Sequence, residues 1–162
     1  MRASTRRFGE LEVPDEQVVE FPEGILGFPA LRRCCLLPCG DGLPLRWLVC
    51  LDEEALAFLT LEPHTVFPDY EIELPAADQE ALKLVQAEEA LPLVLVTVCE
   101  DGQAVTANLV APIIVNLRTR RARQVVLEDE RYCTRHLVGI WRKDAGDAGA
   151  DTTRGRASAD RG

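Results

Sequence analysis

LPLVLVTVCEDGQAVTANLVAPIIVNLRTRRARQVVL, residues 91–127, holds four short apolar runs separated by turn chemistry. EDGQ (Glu100 to Gln103) parts LPLVLVTV from AVTANLV, and its Asp-Gly step suits a hairpin, because both residues tolerate the positive φ that such turns demand. RTRRA (Arg118 to Ala122) parts APIIVNL from RQVVL in the same way. The stretch reads as a meander of four strands. Upstream the rhythm persists, with runs at Gln17 to Phe21, Cys34 to Leu37, Leu45 to Leu51, Ala57 to Leu61 and Tyr70 to Leu74, each bounded by Gly, Pro, Asp or Asn. So many short strands predict a mainly β protein, a small antiparallel β-barrel-like domain.

One or two short helices are expected to interrupt it. From about Ala77 to Ala87, Asp78 can cap a first turn while Leu82 and Val85 fall on one face at three-residue spacing. Pro92 then restarts extended chain, since a residue before proline is pushed out of helical geometry. Beyond Trp141 no apolar residue larger than alanine remains. A segment of that kind cannot bury enough surface to offset its ordering entropy. The predicted organisation is one barrel domain over residues 1–142 and a disordered charged tail over 143–162.

The chain has 162 residues, is 47% hydrophobic and carries a net charge of -9. That length supports a full core without metal or disulfide help. The acidity disfavours direct nucleic-acid binding and favours basic partners. Its distribution is uneven: Lys and Arg number 7 against 20 acids in residues 1–117, and 11 against 7 in residues 118–162. The N-terminus lacks the apolar stretch of a signal peptide and no charge-free run is long enough to span a bilayer, so no membrane role is expected and the predicted location is cytoplasmic.

Six cysteines, at 34, 35, 39, 50, 99 and 133, are an even count, but without a secretory signal they read as reduced and structural. No paired CxxC spacing occurs, and neighbours such as Cys34 and Cys35 on a strand point to opposite faces, so no metal or other cofactor is expected. His64 and Asp69 are the one close pair that could imitate acid-base machinery. They flank Phe67-Pro68, no Gly-x-Ser-x-Gly elbow accompanies them, and the serines lie near the termini. FPEGILGFP lacks the spacing of a phosphate loop. The basic run Arg118 to Arg123 could meet an anion, but arginines at a hairpin tip also guard a sheet edge against pairing. No enzymatic activity is expected.

What remains is a surface. Acids gather beside aromatics at Phe67, Pro68, Asp69, Tyr70, Glu71 and Glu73, and again at Glu128, Asp129 and Glu130. In extended chain from Tyr70 to Leu74, Glu71 and Glu73 share one face while Tyr70, Ile72 and Leu74 share the other. One face packs and the other presents carboxylates to a partner.

Four segments, FPEGILGFP (Phe21 to Pro29), LAFLTLEPHTVFPDYEIEL (Leu56 to Leu74), TANLVAPIIVN (Thr106 to Asn116) and QVVLEDERYCTRH (Gln124 to His136), resemble in order and spacing the signature segments of the FliW family of flagellar assembly factors. The resemblance spans about Phe8 to Leu137. It implies a non-catalytic β-barrel-like protein that binds the RNA-binding translational repressor CsrA and, separately, flagellin. The repressor blocks translation of flagellin mRNA, and FliW relieves the block by an allosteric, non-competitive route. Stalled secretion lets flagellin sequester FliW and frees the repressor. A flagellin-specific export chaperone without a translational role is the alternative. The family's last motif usually runs Tyr-Pro, an apolar residue, then Arg-His-Pro; here Cys133 and Leu137 stand in place of the two stiffening prolines and Thr134 in place of the apolar residue.

Overall fold

The computed structural model describes residues 1–40, 44–99 and 104–140. Eleven strands form there: β1 (Arg2–Thr5), β2 (Gly9–Glu12), β3 (Val19–Glu20), β4 (Arg33–Pro38), β5 (Leu45–Cys50), β6 (Ala57–Leu61), β7 (Ala90–Val98), β8 (Ala104–Ala107), β9 (Ile113–Asn116), β10 (Ala122–Gln124) and β11 (His136–Ile140). A single α-helix, α1 (Ala76–Ala81), joins three 3-10 turns at Asp15–Gln17, Pro63–Thr65 and Ala87–Glu89. The barrel-like fold expected from the sequence is the one observed.

β3 to β7 pair antiparallel, and β7 continues to β9 and β10, giving the order β10-β9-β7-β6-β5-β4-β3. This sheet curls until its two ends meet. The Glu20 amide donates to the Arg120 carbonyl at 2.8 Å, and Glu20 bridges Arg121 in parallel, which joins β3 to the start of β10.

The expected four-strand meander is corrected in its connectivity. β8 and β9 do not pair with each other; both lie against β7. Val96 stands opposite Ala107 while Leu93 stands opposite Ile113, so three steps along β7 match six along its partner. The five intervening residues, Asn108 to Pro112, face only Val94 and Leu95 on β7, so after the Asn108 amide bonds the Leu95 carbonyl the chain loops out and returns. Asn108 shapes that excursion by accepting the Val110 and Ala111 amides on its Oδ1, both at 3.1 Å. β11, unforeseen in the sequence, pairs with the free side of β8. The predicted Asp-Gly turn lies outside the described residues, although Val98 does pair with Val105 across it. The predicted tail over 143–162 also lies outside them.

Alternation along the strands sorts side chains into three clusters. Inside the curl lie Val19, Phe21, Cys34, Leu48, Cys50, Leu93, Ile113 and Val115. The intervening residues face outward: Cys35, Val49 and Leu51 meet Ala3 and Val13 of the N-terminal hairpin, while Leu61, Val94 and Ile114 meet Tyr70, Leu82, Val125 and Leu127. Central strands buried on both faces explain why β9 has four buried residues in a row.

The helix is shorter than predicted. Pro75, not Asp78, occupies its N-cap and has no side-chain acceptor to cap with, while Asp78 pairs with Arg123 at 2.7 Å. Lys83 adopts φ 57, which turns the chain off the helical path, so Leu82 is buried while Val85 is 76% exposed. Asn116, fully buried, fixes this corner: its Nδ2 donates to the Leu82 carbonyl at 2.7 Å, and its Oδ1 accepts the Arg118 amide at 2.8 Å.

Candidate partner-binding surface

Residues 70–74 are not a paired strand, contrary to expectation. They carry no ladder partners, yet keep the predicted alternation: Tyr70 is buried, Ile72 and Leu74 are half-buried, and Glu71 and Glu73 are exposed. Side chains replace the missing ladder. The Tyr70 hydroxyl donates to the Leu109 carbonyl at 2.7 Å, reaching the Asn108 to Pro112 excursion. His64 Nε2 donates to the Tyr70 carbonyl at 2.9 Å, and the Glu71 amide donates to the Tyr132 hydroxyl at 2.8 Å. The Tyr70 and Tyr132 rings meet edge to face with centroids 4.8 Å apart. Burial pushes the Tyr70 phenol above its ordinary range, with the neighbouring Tyr132 and Asp129 adding to the rise, so it remains a donor.

Phe67 is half-buried, its ring edge-on to His136 of β11 at 4.9 Å, while Pro68 and Asp69 are exposed. The second acidic stretch lies alongside. The strand predicted from Gln124 to Leu127 begins earlier, at Ala122, and ends at Gln124. Beyond it the Val125 and Leu127 amides donate to the Pro112 and Val110 carbonyls, which turns Val125 and Leu127 inward and leaves Val126 54% exposed. Glu128 and Glu130 are exposed and Asp129 is half-buried.

The two stretches are joined by a residue that sequence reasoning passed over. Arg131 reaches Glu71 at 2.9 Å and Asp129 at 2.7 Å. Hydrogen bonding from the Arg131 side chain, and then from its amide, holds the Asp129 carboxyl down at about 2. The same two carboxylates, Asp129 first and Glu71 second, raise the Arg131 guanidinium. One cation amid EDER gave a signal only in hindsight, since its reach to Glu71 depends on a fold that brings residues 60 apart together. Glu71 and Asp129 thus share Arg131, while Glu73, Glu128 and Glu130 stay exposed on the two stretches it joins.

His64 and Asp69 do not form a dyad. His64 spends its Nε2 on the Tyr70 carbonyl, and no hydrogen bond links it to Asp69 among the described residues. No group of three or more His, Cys, Asp or Glu suited to a metal occurs among the described residues.

The FliW protein family model matches residues 2–138. The chain belongs to the FliW family. Curated relatives include the flagellar assembly factor FliW of Bdellovibrio bacteriovorus, 42% identical over 85% of this chain and 79% of that one. The FliW of Natranaerobius thermophilus is 37% identical over 84% of this chain and 91% of that one. A crystal structure of the flagellar assembly factor FliW superposes with a TM-score of 0.79 at 32% identity, covering 85% of this chain and 96% of that one.

Within this FliW fold the basic run is not a free tip. Arg118 pairs with Glu89 at 2.7 Å, Arg123 with Asp78 at 2.7 Å and Glu23 at 3.2 Å, and Arg120 donates to the Gln17 carbonyl at 3.4 Å. Glu89 is lowered, chiefly by the Val85 amide and then by Arg118. The run therefore fastens α1 and the 87–89 turn to the sheet. FPEGILGFP folds as a tight turn with Ile25 and Phe28 bridged; Gly24 has φ 68, and a Cβ there would meet the Phe28 carbonyl at 2.6 Å. Of the replaced family positions, Leu137 pairs with Thr106 in β11, and the Cys133 carbonyl accepts the Leu109 amide at 3.1 Å.

Proposed function

We propose that this chain is a non-enzymatic cytoplasmic regulator of flagellum assembly that binds CsrA, relieving repression of flagellin mRNA by allosteric, non-competitive antagonism, and that binds flagellin in a partner-switch loop. Family membership across residues 2–138 supports the assembly role. The observation that carries the partner reading is the Arg131 junction, which draws Glu71 and Asp129 together while Glu73, Glu128 and Glu130 stay exposed on the joined stretches.

An RNA-binding repressor must be basic where it grips phosphates, and opposite potentials speed encounter and favour correct docking. Phe67, Pro68, Asp69, Tyr70, Glu71, Glu73, Glu128, Asp129 and Glu130 are the proposed contact region. Within it, buried Tyr70 acts by holding the backbone while the exposed members touch the partner. Half-buried Phe67 and exposed Val126 supply the apolar centre that such interfaces use.

Allostery requires that this protein bind the RNA-free repressor better than the RNA-bound one, and linkage then obliges RNA to weaken the protein's grip equally. Calorimetric titration into the repressor dimer of the same organism, alone and with mRNA leader or flagellin present, tests this. Tight binding that flagellin abolishes and RNA weakens is the expected result. Heat with flagellin alone and none with the repressor would leave the export-chaperone alternative.

A further inference from the structure

Cys34 and Cys50 stand directly opposite each other on β4 and β5, with 0% and 1% exposure. The Leu51 amide donates to the Arg33 carbonyl at 2.7 Å, the bond that brackets a non-hydrogen-bonded antiparallel pair. In such a pair the Cα atoms lie about 4.5 Å apart and the two side chains on one face are at their closest. That separation falls within the roughly 4.4–6.8 Å that a disulfide spans.

Both thiols are free. They stand side by side on one face, and their surroundings differentiate them. The Cys34 thiol holds Cys50 down at about 6 against the opposing effect of burial, with the Asp52 and Glu53 amides assisting. Cys34 is pushed up by the neighbouring Cys50 and by its burial. The neighbouring Cys35 faces the N-terminal hairpin, opposite Val49, and so offers no cross-strand rival. Cys50 is the last residue of β5, and the exposed residues 52–55 form the loop that follows.

We propose that Cys34 and Cys50 are a redox-closable thiol pair, converted by a hydroperoxide into a cross-strand disulfide. The Cys50 thiolate attacks the peroxide oxygen; an S–O bond forms, the O–O bond breaks, and the departing oxide takes a proton as water or alcohol. Cys50 is then a sulfenic acid, oxidised by two electrons while the peroxide is reduced. The Cys34 sulfur attacks the Cys50 sulfur, the S–S bond forms, and hydroxide leaves with the Cys34 proton as water. Two thiols and one hydroperoxide give one disulfide, one water, and a second water or alcohol.

The change reaches beyond the two sulfurs. Once oxidised, Cys50 is tied covalently to β4 at the very residue from which the 52–55 loop departs. Asp52 holds the Arg33 side chain at 2.6 Å, and the Glu54 carbonyl accepts the Arg6 amide at 2.7 Å. Closure is therefore felt by the loop on which the N-terminal hairpin rests.

The test exposes the full chain to hydrogen peroxide, alkylates it after denaturation, and maps its peptides by mass spectrometry. The expected product joins the Cys34 and Cys50 peptides, two hydrogens lighter than their sum, and separates again with reductant. In Cys34→Ser the hydroxyl can still donate to Cys50 but cannot resolve its sulfenic acid, so dimedone labelling of Cys50 rises well above that of the native chain. If Cys34 and Cys50 both stay fully alkylatable at peroxide levels that oxidise exposed Cys133, the proposal is overturned. A native chain that links Cys50 to any other cysteine overturns it as well, and neither result depends on the variant folding.

Discussion

The outer face of the sheet is covered twice, by different means. Over Cys35, Val49 and Leu51 lies the β1–β2 hairpin, with four residue pairs in register from Arg2 opposite Glu12 to Thr5 opposite Gly9. Over Leu61, Val94 and Ile114 lie the stretches around residues 70–74 and 125–132, which carry no strand pairing with each other. Their backbone is held by the Tyr70 and Tyr132 hydroxyls, His64 and the Asn108 excursion. A hairpin satisfies its own backbone and leaves its side chains free to vary. An unpaired cover depends on particular side chains, and its outward carboxylates are placed by the same residues that hold it down.

The largest test of that contrast is Tyr70→Ala, which should cost about 3–5 kcal/mol by urea unfolding, as for other buried aromatics. Tyr70→Phe keeps the ring and strips only the donor to the Leu109 carbonyl, so about 1–3 kcal/mol should be lost. Asn116→Ala leaves the Leu82 carbonyl and Arg118 amide without their partner and should lose about 2–3 kcal/mol, read the same way. In the hairpin, Thr5→Val removes the bonds from its hydroxyl to the Gly9 carbonyl and from the Phe8 amide to its oxygen, and only about 1 kcal/mol should go. A Thr5 effect equal to that of Tyr70→Phe would erase the distinction.

Reversing the exposed Glu128 and Glu130 to Lys, with Asp129 left to Arg131, should barely move the unfolding midpoint while weakening the repressor complex and flattening its salt dependence, measured by calorimetry at several ionic strengths. Unchanged affinity would remove those positions from the interface. The smallest effect concerns acid. Asp129 titrates at about 2 in the folded chain against an ordinary 3.8, so its pairing with Arg131 stabilises the fold above about pH 4 and is lost as pH falls toward 2. Carboxyl NMR shifts should show Asp129 titrating well below the ordinary carboxylate range.

Much of this was legible in the sequence where period two governs. Cys34, Leu48, Leu93 and Ile113 turn inward and their neighbours outward, as alternation requires. Glu71 and Glu73 are outward for the same reason, even though no ladder accompanies them. Illegible were features decided by distant partners. Asp78 looked like a cap, but Arg123 claims it from a strand 45 residues on. RAST and GELE alternate too weakly in hydrophobicity to announce a hairpin, because only Ala3 and Thr5 among those eight residues are buried. Leu82 and Val85 share a helical face only if the helix continues, and Lys83 at φ 57 ends it. The Cys34–Cys50 pairing requires the register of two strands, which spacing alone does not supply.

The meeting of β3 with the start of β10 sets an order of assembly. β4, β5 and β6 join through neighbouring antiparallel pairings, whereas the Glu20–Arg121 contact must bring together chain a hundred residues apart. Loop-closure entropy places such a contact after the local hairpins that shorten the effective loop. β3 is two residues long, so the ring is completed by a narrow seam. That seam is the last part of the sheet to zip and the first to open, and solvent exchange at the Glu20 amide should outpace that at Ile114.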